Sequence, residues 1–434
     1  MMLRLGGAFF TKGYFMAIQI TSPRGTADVL PQDSSKWQYI EGVLKGVCER
    51  FGYQETRTPT FEHTELFQRG VGDSTDVVDK EMYTMEDKGG RSITLRPEGT
   101  AGVVRSFIQN GVLAGTLPVR AYYILSCFRY EKPQAGRLRE FHQLGIELFG
   151  AGSADGDAEV IRIASQALRE IGIKNVRLEI NSIGCPECRP RYREALYNYF
   201  KAYEEQLCDT CRVRLEKNPM RIIDCKSPEC QAIAANAPMA LDYLCDECRD
   251  HFESVKSYLD ESGISYSVNP RIVRGLDYYT KTVFEFVHES AGAQGVVCGG
   301  GRYDGLVGML GGNPTPGVGF GMGIERLINV AESEGVVFPS PSAPDLFVGF
   351  IGDKGREAAR RLVFDLQEKG VYAVYDINLR SLKAQLKYAD KLKARYSLVL
   401  GDDEVDSGKA KLKKMSDGSE VVIDIDPERL AAAL

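Results

Sequence analysis

The chain lacks any long apolar run and any excess of positive charge. Its 434 residues contain no stretch of ~20 apolar residues, the length that a membrane-spanning helix needs, so no membrane partner is expected. The formal net charge is −6, so binding of a nucleic acid would need a local basic patch. The first 15 residues resemble a secretory signal only loosely, because Gly6, Gly7, Lys12 and Gly13 interrupt the apolar residues. We therefore interpret residues 1–15 as an extension or disordered tail, and we predict a cytoplasmic protein.

The two common glycine-rich phosphate loops are also missing. No G-x-x-x-x-G-K-[ST] loop occurs, and the glycines of GVGFGMG (317–323) do not follow the G-x-G-x-x-G spacing of a dinucleotide site. If ATP is bound, it is bound by another route. There is also no internal repeat.

Hydrophobic periodicity divides the chain into regions of different character. Mixed strands and helices occupy 16–183 and 263–334, and a charged, cysteine-rich, mostly helical segment at 184–262 interrupts them like an inserted module. Residues 335–345 hold three prolines and two serines, which indicates a linker. Strands and helices then alternate over 346–434, as in a small α/β domain.

A cluster of polar side chains marks one face of a predicted hairpin. Strands are expected at 121–131 and 139–149, joined by KPQAGRL. Because side chains alternate along a strand, one face would carry an arginine, two carboxylates, an amide and an aromatic ring. These residues are Arg129, Glu131, Phe141, Gln143 and Glu147. The alternative is a solvated hairpin face that binds nothing.

The glycines of GVGFGMGIERL (317–327) alternate, which leaves one face of a predicted strand without side chains. Such a face admits a ligand or another backbone at close range, and a flat base could lie on it. Arg326 follows at the start of the next helix, where its cation could stack on that base or meet a phosphate. The alternative is close packing within the sheet.

Two further motifs, VRGLDYY (273–279) and GGGRYDGL (299–306), are weak signals when taken alone. Together with the hairpin and the glycine-rich strand, they resemble the class II aminoacyl-tRNA synthetases, and among these the histidyl enzymes. GYQETRTP (52–59) with its neighbouring helix resembles motif 1, which serves dimerisation in that family, and TLRPEGT (94–100) resembles the substrate loop. The hairpin and the glycine-rich strand resemble motifs 2 and 3. The resemblance extends over nearly everything from Met16 onward.

The resemblance implies a fold and an activity. The expected fold is α+β, with an antiparallel-sheet catalytic core, a helical cysteine-rich insertion and a C-terminal α/β anticodon-binding domain. The expected protein is a homodimer that activates histidine with ATP and Mg²⁺ to histidyl-adenylate and pyrophosphate. It would then transfer histidine to the 3′ end of tRNA(His). The attacking carboxylate is already ionised, so catalysis would need positioning and electrostatics rather than a general base.

For ATP, the resemblance assigns roles to four residues of the hairpin and to Arg326. Arg129 would bind the α-phosphate, and Arg326 the γ-phosphate and the adenine side. Glu131 would accept from the adenine amino group while Phe141 stacks on the ring. Arg137 would contact the outer phosphates.

For histidine, the resemblance implies a pocket that binds the ammonium group at one end and the imidazole at the other. Its expected residues are Glu98, Thr100, Gln143, Glu147, Tyr278, Tyr279 and Tyr303. A carboxylate and a phenol, Glu147 and Tyr279, would bracket the two ring nitrogens and reject ligands that leave them unpaired. Arg274 would lie near the substrate carboxylate and complete a catalytic set with Arg129 and Arg326.

A basic stripe indicates where RNA would bind. A helix predicted at 379–394 carries cations at three- and four-residue spacing on one face. They are Arg380, Lys383, Lys387, Lys391 and, just beyond, Arg395. The alternative is a solvated face, but the resemblance places the anticodon here. It also places the acceptor end at the motif 2 loop with Gln134 and Lys132, where lysine replaces the more usual arginine.

Eight of the eleven cysteines lie between Cys185 and Cys248. They form the pairs Cys185/Cys188, Cys208/Cys211, Cys225/Cys230 and Cys245/Cys248. Three pairs have the C-x-x-C spacing that lets two thiolates reach one metal, so we predict structural zinc. Either two tetrahedral sites form, or one site with spare thiols. The alternative is a set of free or redox-active thiols.

Two other functions compete with a synthetase. One is a regulatory relative that senses histidine, but such proteins typically lack the C-terminal domain and have degraded motifs, whereas Arg129, Arg274 and Arg326 are all present here. The other is a zinc-dependent nucleic-acid-binding module with a decayed enzyme core. The complete polar face of the hairpin argues against it.

Overall fold

The computed structural model describes residues 20–72, 77–134, 136–272, 274–289 and 295–434, so the extension expected at 1–15 lies outside the described residues. The chain divides into two compact units between Pro339 and Ser340. Among the described residues, every helix is too short or too polar to cross a membrane.

The first unit alternates short helices and strands before and after a helical segment. Its first part contains α1 Pro31–Arg50, β1 Gln54–Glu55, β2 Phe61–His63, α2 Thr64–Val71, β3 Tyr83–Glu86, β4 Ser92–Leu95, α3 Thr100–Gln109, β5 Val119–Phe128, β6 Glu140–Phe149, α4 Ala154–Ile171 and β7 Arg177–Ser182. The helical segment contains α5 Cys188–Lys201, α6 Asp209–Lys217, α7 Pro228–Ala234 and α8 Asp246–Glu261. The last part contains β8 Tyr266–Val268, β9 Thr280–Val287, β10 Val296–Arg302, α9 Leu306–Met309, β11 Gly317–Gly323 and α10 Ile324–Ser333.

An eight-stranded sheet forms the centre of this unit, in the order β1-β5-β6-β11-β10-β9-β7-β8. The six central strands of this order, β5-β6-β11-β10-β9-β7, pair antiparallel with their neighbours. The two edge pairs of this sheet, β1 with β5 and β7 with β8, are parallel. Leu144, Ile146 and Leu148 on one face of β6 are buried in the main core, as the alternation of the sequence predicts. The opposite face of β6 is therefore left for the polar site, and the expected α+β class with an antiparallel core is confirmed.

The first strand of the hairpin ends earlier than the sequence predicts. β5 ends at Phe128, so Arg129 and Glu131 lie beyond the strand rather than on its face. The Arg129 amide still donates to the Arg139 carbonyl (2.8 Å), but the Arg139 amide donates to the carbonyl of Gly25 (2.7 Å). Because that donor is used elsewhere, the ladder cannot continue, and the two side chains are freed from strict alternation.

The helical segment is connected to the main core through its last helix. Phe252, Val255 and Leu259 of α8 are buried in the same cluster as residues of α1, α4 and the large sheet. The earlier helices have a separate small core that includes Cys211, Cys225 and Cys230. The first half of the segment is therefore a module of its own.

The second unit is a five-stranded sheet with helices. It contains β12 Leu346–Phe350, α11 Gly352–Glu368, β13 Ala373–Tyr375, α12 Leu382–Lys391, β14 Tyr396–Leu400, α13 Asp402–Ser407, β15 Lys409–Lys414, β16 Glu420–Asp424 and α14 Pro427–Ala433. The strand order is β13-β12-β14-β15-β16, parallel in the first three strands and antiparallel in the last two.

The basic helix is shorter than predicted. Leu379 and Lys393 have positive φ angles (52° and 57°), which an α-helix does not contain, so α12 spans only 382–391. Arg380 therefore precedes the helix and pairs with buried Asp376. Arg395 follows it and pairs with Asp345 (2.7 Å). The predicted stripe of five cations is corrected to three helical lysines.

Candidate active site

A buried carboxylate lies at the centre of the polar face of β6. The side chain of Glu147 is 1% exposed and accepts hydrogen bonds from Thr100 Oγ1 (2.7 Å), from the Tyr123 hydroxyl (3.0 Å) and from the Tyr303 hydroxyl. Burial raises the pKa of Glu147 to about 8, although these three donors oppose the change. A carboxyl in this state is suited to exchange a proton with a ligand near neutral pH.

Aromatic rings enclose this carboxylate. The ring centroids of Tyr278 lie 4.7 Å from Tyr279 and 5.6 Å from Tyr303, and all three residues are buried. Thr100, Glu147 and the three tyrosines, predicted from separate motifs, are thus brought together in one buried cluster.

The face of β11 that carries only glycines is covered by side chains of β6 and not by open space for a base. A Cβ on Gly319 would lie 2.3 Å from Glu147 Oε2, and a Cβ on Gly321 would lie 2.2 Å from Gln143 Nε2. Side chains of β6 occupy this space, so close packing within the sheet explains the glycines. The glycines make room for the residues that line the pocket, and a base lying flat on them is not needed to explain their spacing.

Glu98 lies at the start of α3 and is engaged with that helix. Its carboxylate accepts from the amides of Thr100 (2.6 Å) and Ala101 (2.9 Å), and burial raises its pKa. The carboxylate thereby satisfies two of the amides that a helix start leaves unpaired. It is held beside Thr100, whose hydroxyl donates to Glu147.

Tyr123 is a pocket residue that the sequence analysis missed. It lies on β5 opposite Gly145, and a Cβ on Gly145 would lie 2.0 Å from its ring. The ring crosses this glycine to reach Glu147. Gly145 within an otherwise well-formed strand was the available signal, but its meaning depends on the hairpin register.

A group of arginines lies at the other end of β6. The Arg129 guanidinium lies 4.1 Å from the centre of the Phe141 ring, and its Nε donates to the Leu138 carbonyl (3.0 Å). Arg137 pairs with Glu131, whose carboxylate is also 3.5 Å from Arg129. Burial, then the cations of Arg137 and Arg326, lower the pKa of Arg129 to about 10. Several partly buried cations so close together suit a polyphosphate.

The remaining predicted arginines are held by partners that the sequence did not reveal. Arg274 pairs with Glu285 of β9, and its guanidinium lies 5.7 Å from the centre of the Tyr279 ring. Arg326 donates to the carbonyl of Val296. A further acid, Glu81, lies beside Glu131, and burial raises its pKa to about 7. Glu81 and Glu285 have no distinguishing motif, since their roles depend on contacts between distant segments.

The residues expected to meet RNA are on the surface. Lys132 and Gln134 of the hairpin loop are exposed, and the backbone of Gln134 closes the turn with Arg137. The lysines of α12 are exposed, while Gln385 and Ala389 on its inner side are buried. These lysines are Lys383, Lys387 and Lys391.

The eight clustered cysteines form two groups of four. One group, cluster A, consists of Cys185, Cys188, Cys245 and Cys248, and the other, cluster B, consists of Cys208, Cys211, Cys225 and Cys230. Within each group the sulfurs lie within 4.8 Å of one another, and individual pairs lie 3.7 to 3.9 Å apart. Four sulfurs around one tetrahedral ion at ~2.3 Å would be ~3.8 Å apart. Each group therefore fits a metal ion.

Known proteins match the chain over almost its whole length. The family model for histidyl-tRNA synthetase matches residues 25–327, and that for the anticodon binding domain matches 345–432. A histidine–tRNA ligase of Caldanaerobacter subterraneus is 55% identical over 93% of this chain and 97% of its own length, and one of Clostridium novyi is 53% identical over 95% and 97%. The crystal structure of apo S. aureus histidyl-tRNA synthetase superposes with a TM-score of 0.81 at 39% identity, covering 96% of this chain and 99% of that one.

The buried polar cluster around Glu147, the arginines beside the start of β6 and these matches lead to one assignment, and it is the family that the motifs indicated. The chain belongs to the histidyl-tRNA synthetase family.

Proposed function

We propose that this chain activates histidine with ATP and transfers it to the 3′ end of tRNA(His). The observation that carries the proposal is the arrangement along β6, where the Glu147 pocket and the arginine group around Phe141 are six residues apart. At ~3.3 Å per residue this is about 20 Å, room for an amino acid and a nucleotide bound end to end. The relatives at more than half identity support the same activity.

The histidine side chain would be bound by Glu147 with the tyrosine hydroxyls around it. Tyr279 would meet the second ring nitrogen, and Tyr278 and Tyr303 would exclude water. At the other end, the substrate ammonium would meet Glu98, Thr100 and Gln143. An amino acid without both ring nitrogens would leave buried polar groups unpaired and would be rejected.

ATP would be bound by exchange of ion pairs. In the structure Arg129 covers Phe141, and Glu131 is paired with Arg137. When phosphates bind the two arginines, Phe141 becomes available to stack on adenine and Glu131 to accept from its amino group. The pairs thus prevent the burial of unpaired charge before ATP arrives.

Catalysis would consist of positioning and charge stabilisation. The histidine carboxylate attacks the α-phosphorus, the bond to the pyrophosphate oxygen breaks, and the leaving charge goes to pyrophosphate. Arg129, Arg274 and Arg326 would stabilise the charge on the phosphates, and Mg²⁺ carried by ATP would neutralise part of it.

RNA binding, assembly and location complete the proposal. The anticodon would meet Lys383, Lys387 and Lys391 with Arg380 beside them, and the acceptor end would meet Lys132 and Gln134. The protein would act as a homodimer in the cytoplasm. Its catalytic core would be 16–183 with 263–334, its insertion 184–262, its linker 335–345 and its anticodon domain 346–434.

Structural zinc in the insertion is part of the proposal. The four-sulfur spacing in each cluster suits Zn²⁺, and amide donors to sulfur, such as Cys245 N to Cys188 Sγ (3.1 Å) and Cys208 N to Cys230 Sγ (3.3 Å), stabilise thiolates. Bound zinc would add stability to a module whose hydrophobic core is small.

Exchange of labelled pyrophosphate into ATP tests the proposal. Histidine should support exchange and other amino acids should not. Replacing Arg129 with alanine should slow exchange by two to three orders of magnitude, about 3–4 kcal/mol as for a lost oxyanion donor. The exposed Arg162 on α4 offers a matched control, and Arg162→Ala should exchange at the wild-type rate. No exchange, with histidine binding retained, would indicate a histidine-sensing regulatory protein instead.

A further inference from the structure

Three side chains of the insertion contact the segment that carries Tyr278 and Tyr279. Arg221 donates to the carbonyl of Gly275 (3.0 Å) and pairs with Asp277 (2.8 Å). Further along, Arg189 donates to the carbonyl of Tyr279. At the end of the segment, Lys281 pairs with Glu247 (2.8 Å). Residues 275–281, which we call the tyrosine segment, are thus held from the insertion at their start, middle and end.

Each of these contacts comes from a position within four residues of a clustered cysteine. Arg189 directly follows Cys188, and Glu247 directly precedes Cys248, both in cluster A. Arg221 lies four residues before Cys225 of cluster B, and the Cys225 amide donates to the Ile222 carbonyl (3.1 Å). Whatever fixes the sulfurs therefore fixes the side chains that hold the tyrosine segment.

The backbone at the end of the tyrosine segment needs such support. Lys281 has a φ of +49°, a conformation that costs energy in a residue other than glycine. Its amide donates to the Gly184 carbonyl (2.9 Å), and its carbonyl accepts from the Ile183 amide (2.9 Å). Gly184 directly precedes Cys185, so cluster A also anchors the backbone that keeps Lys281 in this conformation.

Cluster A joins the two ends of the insertion. Cys185 follows β7 and Cys245 precedes α8, yet their sulfurs are 3.9 Å apart. Cluster B lies inside the module, in the small core that includes Leu215 and Ile222. An ion bound by cluster A would link the two ends of the insertion. An ion bound by cluster B would stabilise the small core of the module that carries Arg221.

We propose that each cluster binds one Zn²⁺ and that the two ions, acting through Arg189, Glu247 and Arg221, position the tyrosine segment for histidine. Affinity for histidine is then coupled to metal occupancy, while affinity for ATP, which is bound at the other end of β6, is not. Arg189 and Arg221 are positioning residues, since they act through the backbone of the segment. The inference rests on the proposed function only in taking histidine as the ligand of this pocket.

Zinc content and histidine binding test the proposal together. Full-length protein purified without chelator should contain about two zinc ions per chain, and the double variant Cys185→Ser/Cys188→Ser about one. By calorimetry, Arg189→Met and Arg221→Met should keep both ions and bind histidine about tenfold more weakly, with the KM for ATP in pyrophosphate exchange unchanged. Arg189→Lys should restore part of the affinity, because it keeps a donor for the Tyr279 carbonyl.

Arg193 on the same helix α5 offers the control. It bonds the carbonyls of Glu216 (3.2 Å) and Lys217 (3.1 Å) within the insertion, so Arg193→Met should bind histidine as the wild type does. Fewer than about 0.3 zinc ions per chain would overturn the metal sites. Histidine binding within about twofold of wild type in both arginine variants would overturn the coupling. Wild-type protein that binds zinc and histidine but catalyses no exchange would refute the proposed function and leave this inference standing.

Discussion

The pH dependence of histidine binding should report the protonation of Glu147. Burial raises its pKa to about 8, so at pH 7 the empty pocket holds a neutral carboxyl. Free histidine has a neutral imidazole above a pKa of ~6.5. Transfer of the Glu147 proton to the bound ring gives an imidazolium–carboxylate pair without uptake or release of protons. Between pH ~6.5 and ~8 the affinity should therefore be constant.

Outside this range binding requires a net proton change. Above pH ~8 the carboxyl is already ionised and the ring is neutral, so one proton must be taken up and the affinity should fall up to tenfold per pH unit. Below pH ~6.5 both groups are protonated, one proton must be released, and the affinity should fall again. Calorimetry between pH 5.5 and 9.5, in buffers of different ionisation enthalpy, measures both the affinity and the number of protons.

Replacing Glu147 with glutamine separates this carboxyl from the other groups that titrate. Loss of a hydrogen bond to a charged group, ~1.5–3 kcal/mol, should weaken histidine binding roughly 10- to 150-fold at pH 7. The fall near pH 8 should disappear, whereas any fall caused by the substrate ammonium should remain. An unchanged pH profile in Glu147→Gln would refute the assignment of the carboxyl to the imidazole.

The same substitution has a consequence for stability. A carboxyl whose folded pKa of about 8 lies above its ordinary 4.5 contributes its full stability below pH 4.5 and loses it as the pH rises towards 8. At 1.36 kcal/mol per pH unit, the loss is at most about 5 kcal/mol. In urea unfolding without ligand, the free energy of unfolding of Glu147→Gln should therefore rise relative to that of the wild type from pH 5 to pH 8. A constant difference between the two free energies would contradict the raised pKa.

Three further outcomes follow from other parts of the molecule. The side chain of Arg302 is fully buried and paired with Asp157, so Arg302→Met should lower the free energy of urea unfolding by about 3–5 kcal/mol, and adding Asp157→Leu should recover part of it. Phe61 on β2 is 55% exposed and lies just after the segment 52–59 that resembles motif 1, so light scattering should give twice the 48.1 kDa chain mass for the wild type and a lower mass for Phe61→Glu. Alanine at the three lysines of α12 should raise the KM for tRNA and reduce the slope of log affinity against log salt by up to ~3, without changing pyrophosphate exchange. These lysines are Lys383, Lys387 and Lys391.

Alternation of side chains along a strand is the strongest constraint that the sequence places on the candidate site. The strand predicted at 139–149 places Glu147 and Leu148 on opposite faces, and the strand predicted at 317–323 matches β11 over its full length. Boundaries that depend on tertiary hydrogen bonds were less accessible. The end of β5 depends on a hydrogen bond to Gly25, a residue more than a hundred positions away. The length of α12 depends on positive φ angles at Leu379 and Lys393, two residue types that do not usually indicate such a conformation.

The grouping of the cysteines into clusters also depends on tertiary structure. C-x-x-C spacing predicts that two sulfurs lie close together, and the sulfurs of Cys185 and Cys188 are 3.7 Å apart. It cannot tell which second pair completes a site. Cys245 joins Cys185 because the insertion begins and ends at neighbouring points of the core, and that proximity exists only after β7 and α8 have packed.

Carboxylates beside the arginines explain how a chain of net charge −6 can keep partly buried cations where phosphates would bind. A buried guanidinium without a partner would cost several kcal/mol, so the empty site needs anions of its own. Glu285 serves Arg274, and Glu131 serves Arg137. Both carboxylates belong to the protein and cannot leave with a product, so in the proposed mechanism each would give up its arginine when ATP binds. The affinity for ATP would then be set by the difference between the arginine–carboxylate pairs and the arginine–phosphate pairs, which would allow pyrophosphate to leave a site that is still strongly basic.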